Sequence, residues 1–308
     1  MQQHVLISGA SGLIGSALST HLARLGFVVH ALERDNPAAR FNYSSASRQV
    51  ALDHSISLSA VINLAGPSIA DGRWTARRKQ ELLESRVDLT TALATALAAA
   101  PQPPALFLSA SAVGFYGEST LPLNEEAPAG DDYLASLATR WEAATAPARQ
   151  VGIPTAHLRF GVVLSTKGGV LGKLMLPFSL CVGGKLGDGH QPMSWIALPD
   201  VLNLLTRLIE APAVLTAHTD SEGVSALNLV ADEPITNAVF TKALGRALHR
   251  PTPFPLPKPL IRLLFGEMGD ALLLGHSAVI STRLAALGYT LQYPSIDLAL
   301  AYLIEHKA

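Results

Sequence analysis

The chain has 308 residues, of which 49% are hydrophobic and only 15% charged, with a formal net charge of -1. That supplies enough apolar side chain for a large buried core and too little charge to gather nucleic acid or an anionic membrane, so the expected partner is a small molecule. The single cysteine, Cys181, excludes an internal disulfide and a thiolate zinc cluster, and no apolar stretch reaches the ~18 residues of a membrane span. The expectation is a cytoplasmic monomer or homodimer without a metal site.

His4 to Ile7 is an apolar run suited to a buried strand, Gly9-Ala-Ser-Gly12-Leu-Ile-Gly15 makes a turn, and Leu13, Ala17, Leu18, Leu22 and Leu25 recur at helical spacing. Strand, glycine turn and helix together form a dinucleotide-binding unit. Gly9 permits the tight turn, Gly12 lets a pyrophosphate approach the backbone, and Gly15 lets the helix pack close to the strand. The helix start then aims its unpaired N–H groups and positive dipole end at the phosphates. Gly26 ends the helix, Phe27 to Leu32 reads as a second buried strand, and Glu33-Arg34 falls where a strand end meets the adenosine ribose.

Beyond Arg34 the sequence loosens through Asp35-Asn-Pro37 and a serine-rich piece, and Arg48 to Leu52 makes a short strand ending at Asp53. Asp53 is either a turn residue or an acceptor for the adenine amino group, and the residues leave both readings open. Ala60 to Gly66 is a buried strand that closes on a small residue and a glycine, where backbone can run against a cofactor. Thr75 caps a long helix whose apolar stripe runs through Leu82, Leu89, Leu93 and Leu97. Arg86 lies on that stripe and needs either an acidic partner or a ligand anion, because unpaired burial of a guanidinium is costly. Arg73, Arg77, Arg78 and Lys79 read as a solvated face.

Ala105 to Ser111 is the next strand, with Ser109 and Ser111 at its carboxyl end and Tyr116 in the glycine-flanked turn that follows. Glu125-Glu126 and Asp131-Asp132 read as solvated turn residues. A helix is expected from Tyr133 to Ala146 and a single strand from Thr155 to Leu164. From Ser165 glycines cluster around a short apolar helix, as in a segment that fits closely to a ligand or moves over it. Trp195 is read as core, Asp200 as the N-cap of a helix from Val201 to Glu210, and Leu227 to Val230 as a strand. Helices over Thr236 to Leu248, Lys258 to Phe265, Gly269 to Leu274 and Ser295 to His306 complete the chain. The organisation expected is a dinucleotide-binding core over 1–164, a substrate-side loop with returning core elements over 165–250, and a small helical C-terminal domain over 251–308.

The segments ISGASGLIGSAL, VINLAGPSIADGRWTARRKQELLESRVDLTTAL, SASAVGFYG, RFGVVLSTKGGVLGKLMLPF and GDGHQPMSWIALPDV occur in one order along nearly the whole chain. Together they resemble the atypical short-chain dehydrogenase/reductases known as epimerase-family proteins, relatives of NAD(P)-dependent sugar-nucleotide epimerases and dehydratases. GEMGDALLLGH and LAALGYTLQYP resemble the small C-terminal domain of that family. The resemblance implies an α/β fold, a doubly wound parallel sheet of Rossmann type with a smaller C-terminal substrate-side region, and NADP(H) as cofactor. It places Ser11, Gly12, Leu13 and Ile14 at the pyrophosphate, Arg34 at the ribose phosphate, Leu64, Ala65 and Gly66 on the adenine side and Val162 at the nicotinamide end. It also makes Glu81 and Arg86 cofactor contacts.

The superfamily usually carries Tyr-x-x-x-Lys on the helix after the serine strand, with an acid four residues past the lysine. Taking Glu142 as that acid puts Leu134 at the tyrosine and Ala138 at the lysine, and neither transfers a proton. Tyr133 is one residue away, about 100° round the helix. Ser111 matches the superfamily's catalytic Ser/Thr position, and Tyr116 is the other candidate, as acid or as an aromatic wall. The function implied is an NADP(H)-dependent oxidoreductase or epimerase acting on a small molecule. The alternative is a non-catalytic NADPH-binding sensor, in which the cofactor orders the 165–195 loop for a partner.

Overall fold

The computed structural model describes residues 2–216, 219 and 224–307. Twelve strands are formed among them: β1 His4–Ser8, β2 Val28–Arg34, β3 Asn42–Ser44, β4 Gln49–Ala51, β5 Leu58–Asn63, β6 Phe107–Ala112, β7 Thr155–Phe160, β8 Val162–Leu164, β9 Pro192–Met193, β10 Trp195–Ala197, β11 Val224–Leu229 and β12 Ile235–Thr236. Between and after them lie α1 Leu13–Arg24, α2 Ala76–Ala98, α3 Tyr133–Ala143, α4 Ala146–Gln150, α5 Gly169–Ser179, α6 Leu198–Glu210, α7 Ala213–Thr216, α8 Asn237–Leu248, α9 Lys258–Phe265, α10 Glu267–Leu273, α11 Arg283–Ala286 and α12 Ile296–Glu305. None of these helices is long and apolar enough to cross a membrane.

Eight strands share one sheet in the order β11-β7-β6-β5-β1-β2-β3-β4. The neighbours from β11 to β3 run parallel, and only the edge pair β3 and β4 is antiparallel. The central strands are sealed on both faces by helices, which is why Val5, Leu6, Ile7, Ala60, Val61, Ile62, Phe107 and Leu108 are all fully buried. After β1 the chain crosses to β2 on one side and later returns to β5 on the other. The strand order therefore reverses between β1 and β5, and a crevice opens outside their carboxyl ends.

Caps fix the helix starts where the sequence put them. The side chains of Thr75, Thr236 and Ser295 accept from the backbone N–H groups of Arg78, Val239 and Leu298, and Asp132 accepts from that of Ala135. Each such cap is worth about 1 kcal/mol. Asp200 does not behave this way: Ala197 is the N-cap of α6, and the fully buried Asp200 carboxylate accepts from the Gln292 and Tyr293 N–H groups and the Tyr289 hydroxyl. It anchors the C-terminal segment rather than a helix start, and burial raises its pKa.

Two further expectations fail. The serine-rich piece contains β3, which lies beside the end of β2. The strand expected from Thr155 to Leu164 is two strands, because the chain breaks at Gly161. A Cβ there would lie 2.7 Å from the Ser194 carbonyl oxygen and 2.9 Å from Val230 Cγ1, so only glycine lets the backbone pass. β7 stays in the main sheet, whereas β8 pairs with β10 in a separate two-stranded sheet at the crevice edge. Trp195 sits in that second sheet as core, 1% exposed, in keeping with the sequence.

Gly161→Ala is expected to lower unfolding stability by about 1–3 kcal/mol, the usual range for overpacking a filled site. Urea unfolding of the two proteins measures it, and an unchanged midpoint would show that β7 and β8 can separate without close approach.

Candidate functional site

The glycine turn is built by close backbone approach. Gly9 has a φ of 70°, and a Cβ there would lie 2.8 Å from the Leu64 carbonyl carbon and oxygen at the end of β5. A Cβ on Gly15 would collide with the Gly9 carbonyl oxygen, so α1 can press against the turn only as glycine. Gly12 is the N-cap of α1 and offers no side-chain cap, and no acidic residue sits in the first turn of the helix. The N–H groups of Leu13 and Ile14 therefore face the crevice together with the positive end of the helix dipole, beside an exposed Ser11.

At the end of β2 the exposed Arg34 points from the strand end, and the neighbouring Glu33 carboxylate accepts from Asn36 Nδ2 at 2.7 Å. Glu33 is thus drawn into the following turn. Asp53 accepts from the backbone N–H and hydroxyl of Ser55 at one oxygen, as the turn reading expects.

Arg86 is 8% exposed and has no carboxylate within ion-pair distance among the described residues. Its guanidinium donates to the Leu82 carbonyl at 3.1 Å and the Pro67 carbonyl at 2.8 Å, and lies 5.1 Å from the Trp141 ring centroid. Gly66 meets it directly, since a Cβ there would lie 3.0 Å from Arg86 Cζ. Burial pushes the Arg86 pKa down to about 10. Among the described residues the structural ion pair left open by the sequence is absent, so a buried cation stands at the crevice beside Gly66 with two carbonyls and the Trp141 ring around it. Glu81 is in contrast exposed and paired with Arg77 and Arg78 on its own helix.

Beneath the crevice, Asn63 accepts from the Ser8 hydroxyl and donates to Thr90 Oγ1 at 2.7 Å and Ser109 Oγ at 3.3 Å. Trp141 Nε1 donates to the same Thr90 hydroxyl at 3.0 Å. Buried polar atoms at the ends of β1, β5 and β6 thereby lock α2 and α3 in place, and with them the ring against Arg86.

Ser111, at the end of β6, is 2% exposed and donates to Glu142 Oε1 at 2.7 Å. Glu142 also accepts both arms of Arg159, Nε at 2.8 Å and Nη2 at 2.9 Å, and lies 3.4 Å from His157 Nδ1. Burial opposes its charge, but the hydrogen bonds and charges of Arg159 and His157 outweigh that, holding the carboxyl down at about 2. Arg159 stacks 3.5 Å from the Phe115 ring centroid and donates to the Tyr116 hydroxyl at 2.8 Å. Tyr116 in turn donates to Asn228 Oδ1 at 2.8 Å. The Tyr116 side chain is 4% exposed with its pKa raised by burial, so its proton is committed inside the protein and not presented to a ligand. Arg159 and His157 escaped the sequence reading. The signal was there, because Thr155, His157 and Arg159 occupy alternate positions and so share one face of an otherwise apolar strand.

Glu125 is a clear correction. Instead of lying in a solvated turn it is buried, accepting from the Ser281 hydroxyl at 2.6 Å, from the N–H and hydroxyl of Thr282, and from the Asn228 N–H. Of the expected solvated face, Arg73 and Arg77 are exposed while Arg78 and Lys79 are half-buried, and three of the four are engaged elsewhere in the fold. Arg73 donates to the Leu263 and Leu264 carbonyls, Arg78 to that of Ser68, and Lys79 pairs with Glu267. Val162 begins β8 at the crevice edge, and Leu13 packs against Gly168 and Gly169, so the start of α5 lies over the glycine turn.

The sequence matches the family model described as the NAD dependent epimerase/dehydratase family over residues 5–219 and that of a domain of unknown function, DUF1731, over residues 256–303. An epimerase family protein of Mycobacterium tuberculosis is 39% identical over 301 residues, spanning 97% of this chain and 96% of that one. Epimerase family protein SDR39U1 of Homo sapiens is 36% identical over 306 residues, spanning 97% and 99%. The crystal structure of the human SDR39U1 protein (isoform 2) with NADPH superposes with a TM-score of 0.85 at 34% identity, covering 99% of this chain and 100% of that chain. UDP-galactose 4-epimerase, at 17% identity and a TM-score of 0.71, shares the fold alone.

Glu142→Gln is expected to cost about 3 kcal/mol at pH 7, because Arg159 is left without its counter-charge. The wild-type carboxyl, held at about 2 when folded, contributes stability that is present above its unfolded pKa and lost as pH falls towards 2. The gap between the two proteins in urea unfolding should shrink by roughly half by pH 3. An equal gap at pH 7 and pH 3 would mean the carboxyl does not carry a charge in the folded state.

Proposed function

The chain belongs to the NAD dependent epimerase/dehydratase family, and from that membership and the geometry of its crevice we propose an NADPH-dependent oxidoreductase of the atypical short-chain dehydrogenase/reductase type, acting on a small molecule. The observation that carries the cofactor is Arg86, a buried cation without a carboxylate, set against Gly66 and facing the same crevice as the open N-terminus of α1. An anion supplies what the carbonyls of Leu82 and Pro67 do not. The glycine turn would hold the pyrophosphate through the backbone of Ser11 to Ile14, Leu64 to Gly66 would border the adenine side, and Val162 the nicotinamide end. Glu81, tied to its own helix, is the weakest of these contacts.

Preference for the 2′-phosphate rests on Arg34. Its guanidinium can make charge-assisted hydrogen bonds to that group, while Glu33, which would repel it, is turned toward Asn36. Tighter binding of NADPH than NADH is expected, with a loss of roughly 10- to 100-fold in Arg34→Ala, the value of one charged hydrogen bond. Arg86→Met should also weaken NADPH while keeping the fold, because Met retains the apolar stem and removes an unpaired charge. Fluorescence titration with both cofactors, beside thermal unfolding, decides it. Equal NADH binding defeats the Arg34 assignment, and an Arg86→Met protein that melts early with unchanged affinity makes Arg86 structural.

Bound NADPH supplies a hydride to a carbonyl carbon. The protein then has to handle a proton without the superfamily's usual pair, whose stations are Leu134 and Ala138. Tyr133 does not replace it, since its hydroxyl donates to the Lys79 carbonyl at 3.2 Å against α2. Glu142 is held ionised and Tyr116 is committed to Asn228, which leaves Ser111, turning its proton from Glu142 to the substrate oxygen, or water. General acid catalysis is worth roughly 10²- to 10⁴-fold, so turnover here is slow. With a reducible carbonyl compound, Ser111→Ala should lower kcat by roughly 10-fold or more, and Tyr133→Phe should leave it within about 2-fold. Collapse of the rate in Tyr133→Phe would overturn this division of roles.

A further inference from the structure

The glycine turn is gripped from two sides. On one side Gly9 lies so close to the end of β5 that a Cβ would meet the Leu64 carbonyl at 2.8 Å, and on the other Leu13 packs on Gly168 and Gly169. From these two points the segment after β5 and helix α5 both run on past the turn, and they meet again. Lys173 Nζ, about one helical turn beyond Gly169, donates to Asp71 Oδ1 at 2.8 Å across 102 positions of sequence. The contacts close a ring: the turn 9–13, the segment 64–71, the Lys173–Asp71 pair and the segment 168–173. The N-terminus of α1, without a side-chain cap, stands at the base of that ring.

The links in the ring differ in kind. The two at the turn are close packing, and neither parts without opening a void. The third is an ion pair whose Lys173 and Asp71 side chains are 62% and 59% exposed. Among the described residues it is the only hydrogen bond or ion pair between α5 and residues 64–75. Asp71 is prepared for it: the hydrogen bond from Lys173, ahead of the slight burial that opposes it, and then the Lys173 charge, the Ser68 hydroxyl and the Arg78 charge hold its carboxyl below the ordinary pKa. An exposed pair adds little to the stability of a fold and breaks readily, which suits a contact that has to open and close.

We propose that the Lys173–Asp71 pair is a latch over the dinucleotide crevice, which the nicotinamide cofactor passes on entering and on leaving. The inference rests on the NADPH reading, in which the pyrophosphate lies at the start of α1 and so within the ring. The hinge is the glycine pair at the start of α5, where Gly169 has a φ of 65°, and α5 is the arm that carries Lys173 away from Asp71. A latch of this kind acts on rates. Entry and exit cross the same pair, so breaking it quickens both, and the affinity changes less than either rate.

Stopped-flow fluorescence on the full chain reads this, with NADPH binding followed directly and release followed during a chase with excess NADP⁺. Asp71→Asn is expected to speed binding and release alike, by roughly 2- to 5-fold, the range that an exposed pair supports. Loss of a negative charge from the mouth without a latch has the other sign for release: binding quickens, release slows and Kd falls. Lys173→Gln should speed release by a similar factor. The charge-exchanged double variant, Asp71→Lys with Lys173→Asp, should bring release back to within about 2-fold of the unmodified chain. In about 1 M salt, where the screening length falls to about 3 Å, the unmodified chain and Asp71→Asn should release NADPH at the same rate. All these substitutions are at exposed side chains, so the melting temperature is expected to stay unchanged. Unchanged or slower release in Asp71→Asn, or no recovery in the exchanged variant, overturns the latch. An unmodified chain that binds no NADPH overturns the cofactor reading and the latch with it, whereas binding whose rates ignore the pair overturns the latch alone.

Discussion

The pairing of Glu142 with Arg159 is the constraint on which the crevice depends. Two charges withdrawn from water cost several kcal/mol each, and they are tolerated only where geometry is good and the remaining donors and acceptors are filled. Both conditions hold here. The carboxylate takes two arms of the guanidinium and the Ser111 hydroxyl, and the guanidinium reaches the Tyr116 hydroxyl and stacks on Phe115. Such a pair adds little net stability over an apolar replacement, but it admits one arrangement of β6, β7 and α3 and no other. It therefore sets where Ser111 stands.

The same network reaches the C-terminal region. Tyr116 donates to Asn228 on β11, Asn228 donates from Nδ2 to the Ile280 carbonyl, and its N–H goes to Glu125, which also holds Ser281 and Thr282. The segment around residue 280 is thus joined through buried polar groups to the serine at the end of β6. From the other side Arg73 fastens α9 to the loop before α2, and Lys79 fastens α10 to α2. The two attachments differ physically. The first is buried and unscreened, whereas the second is exposed and weakened by salt, so the outer helices are held less firmly than the segment behind them.

What could be read from the sequence was what local chemistry decides. The glycine turn follows from the left-handed backbone at Gly9 and the close approach of Gly15 to the Gly9 carbonyl, the Thr75 cap from a side chain reaching three residues ahead, and the buried strands from their apolar runs. The misreadings share a different cause. Glu125 is satisfied by residues more than 100 positions later, and Arg73 and Lys79 by residues about 190 positions later, so neither neighbourhood nor periodicity could show that these charges were engaged. Gly161 breaks a strand because of Ser194, which only the folded chain brings near. Of the candidate site, the glycine turn and the buried Arg86 were legible because a glycine turn and a cationic residue on an apolar stripe are local patterns. The Ser111 side was half legible, since the serine at the strand end and the acid on the following helix could be read while the Arg159 that takes up the acid could not.

That substitution changes what the site can do with charge. A tyrosine beside a lysine is an acid ready to give its proton near neutral pH, because the neighbouring cation stabilises the phenolate. Here the cation is a guanidinium, which keeps its protons, and it is bound to an acid that burial does not neutralise. The one phenol in contact with Arg159 has its pKa raised and its proton directed to Asn228. The phenol and the carboxylate are in this way converted into a fixed scaffold, and on the proposed oxidoreductase reading the proton that remains for transfer is that of Ser111 or of water. On that reading the site suits a substrate whose carbonyl needs little help from an acid.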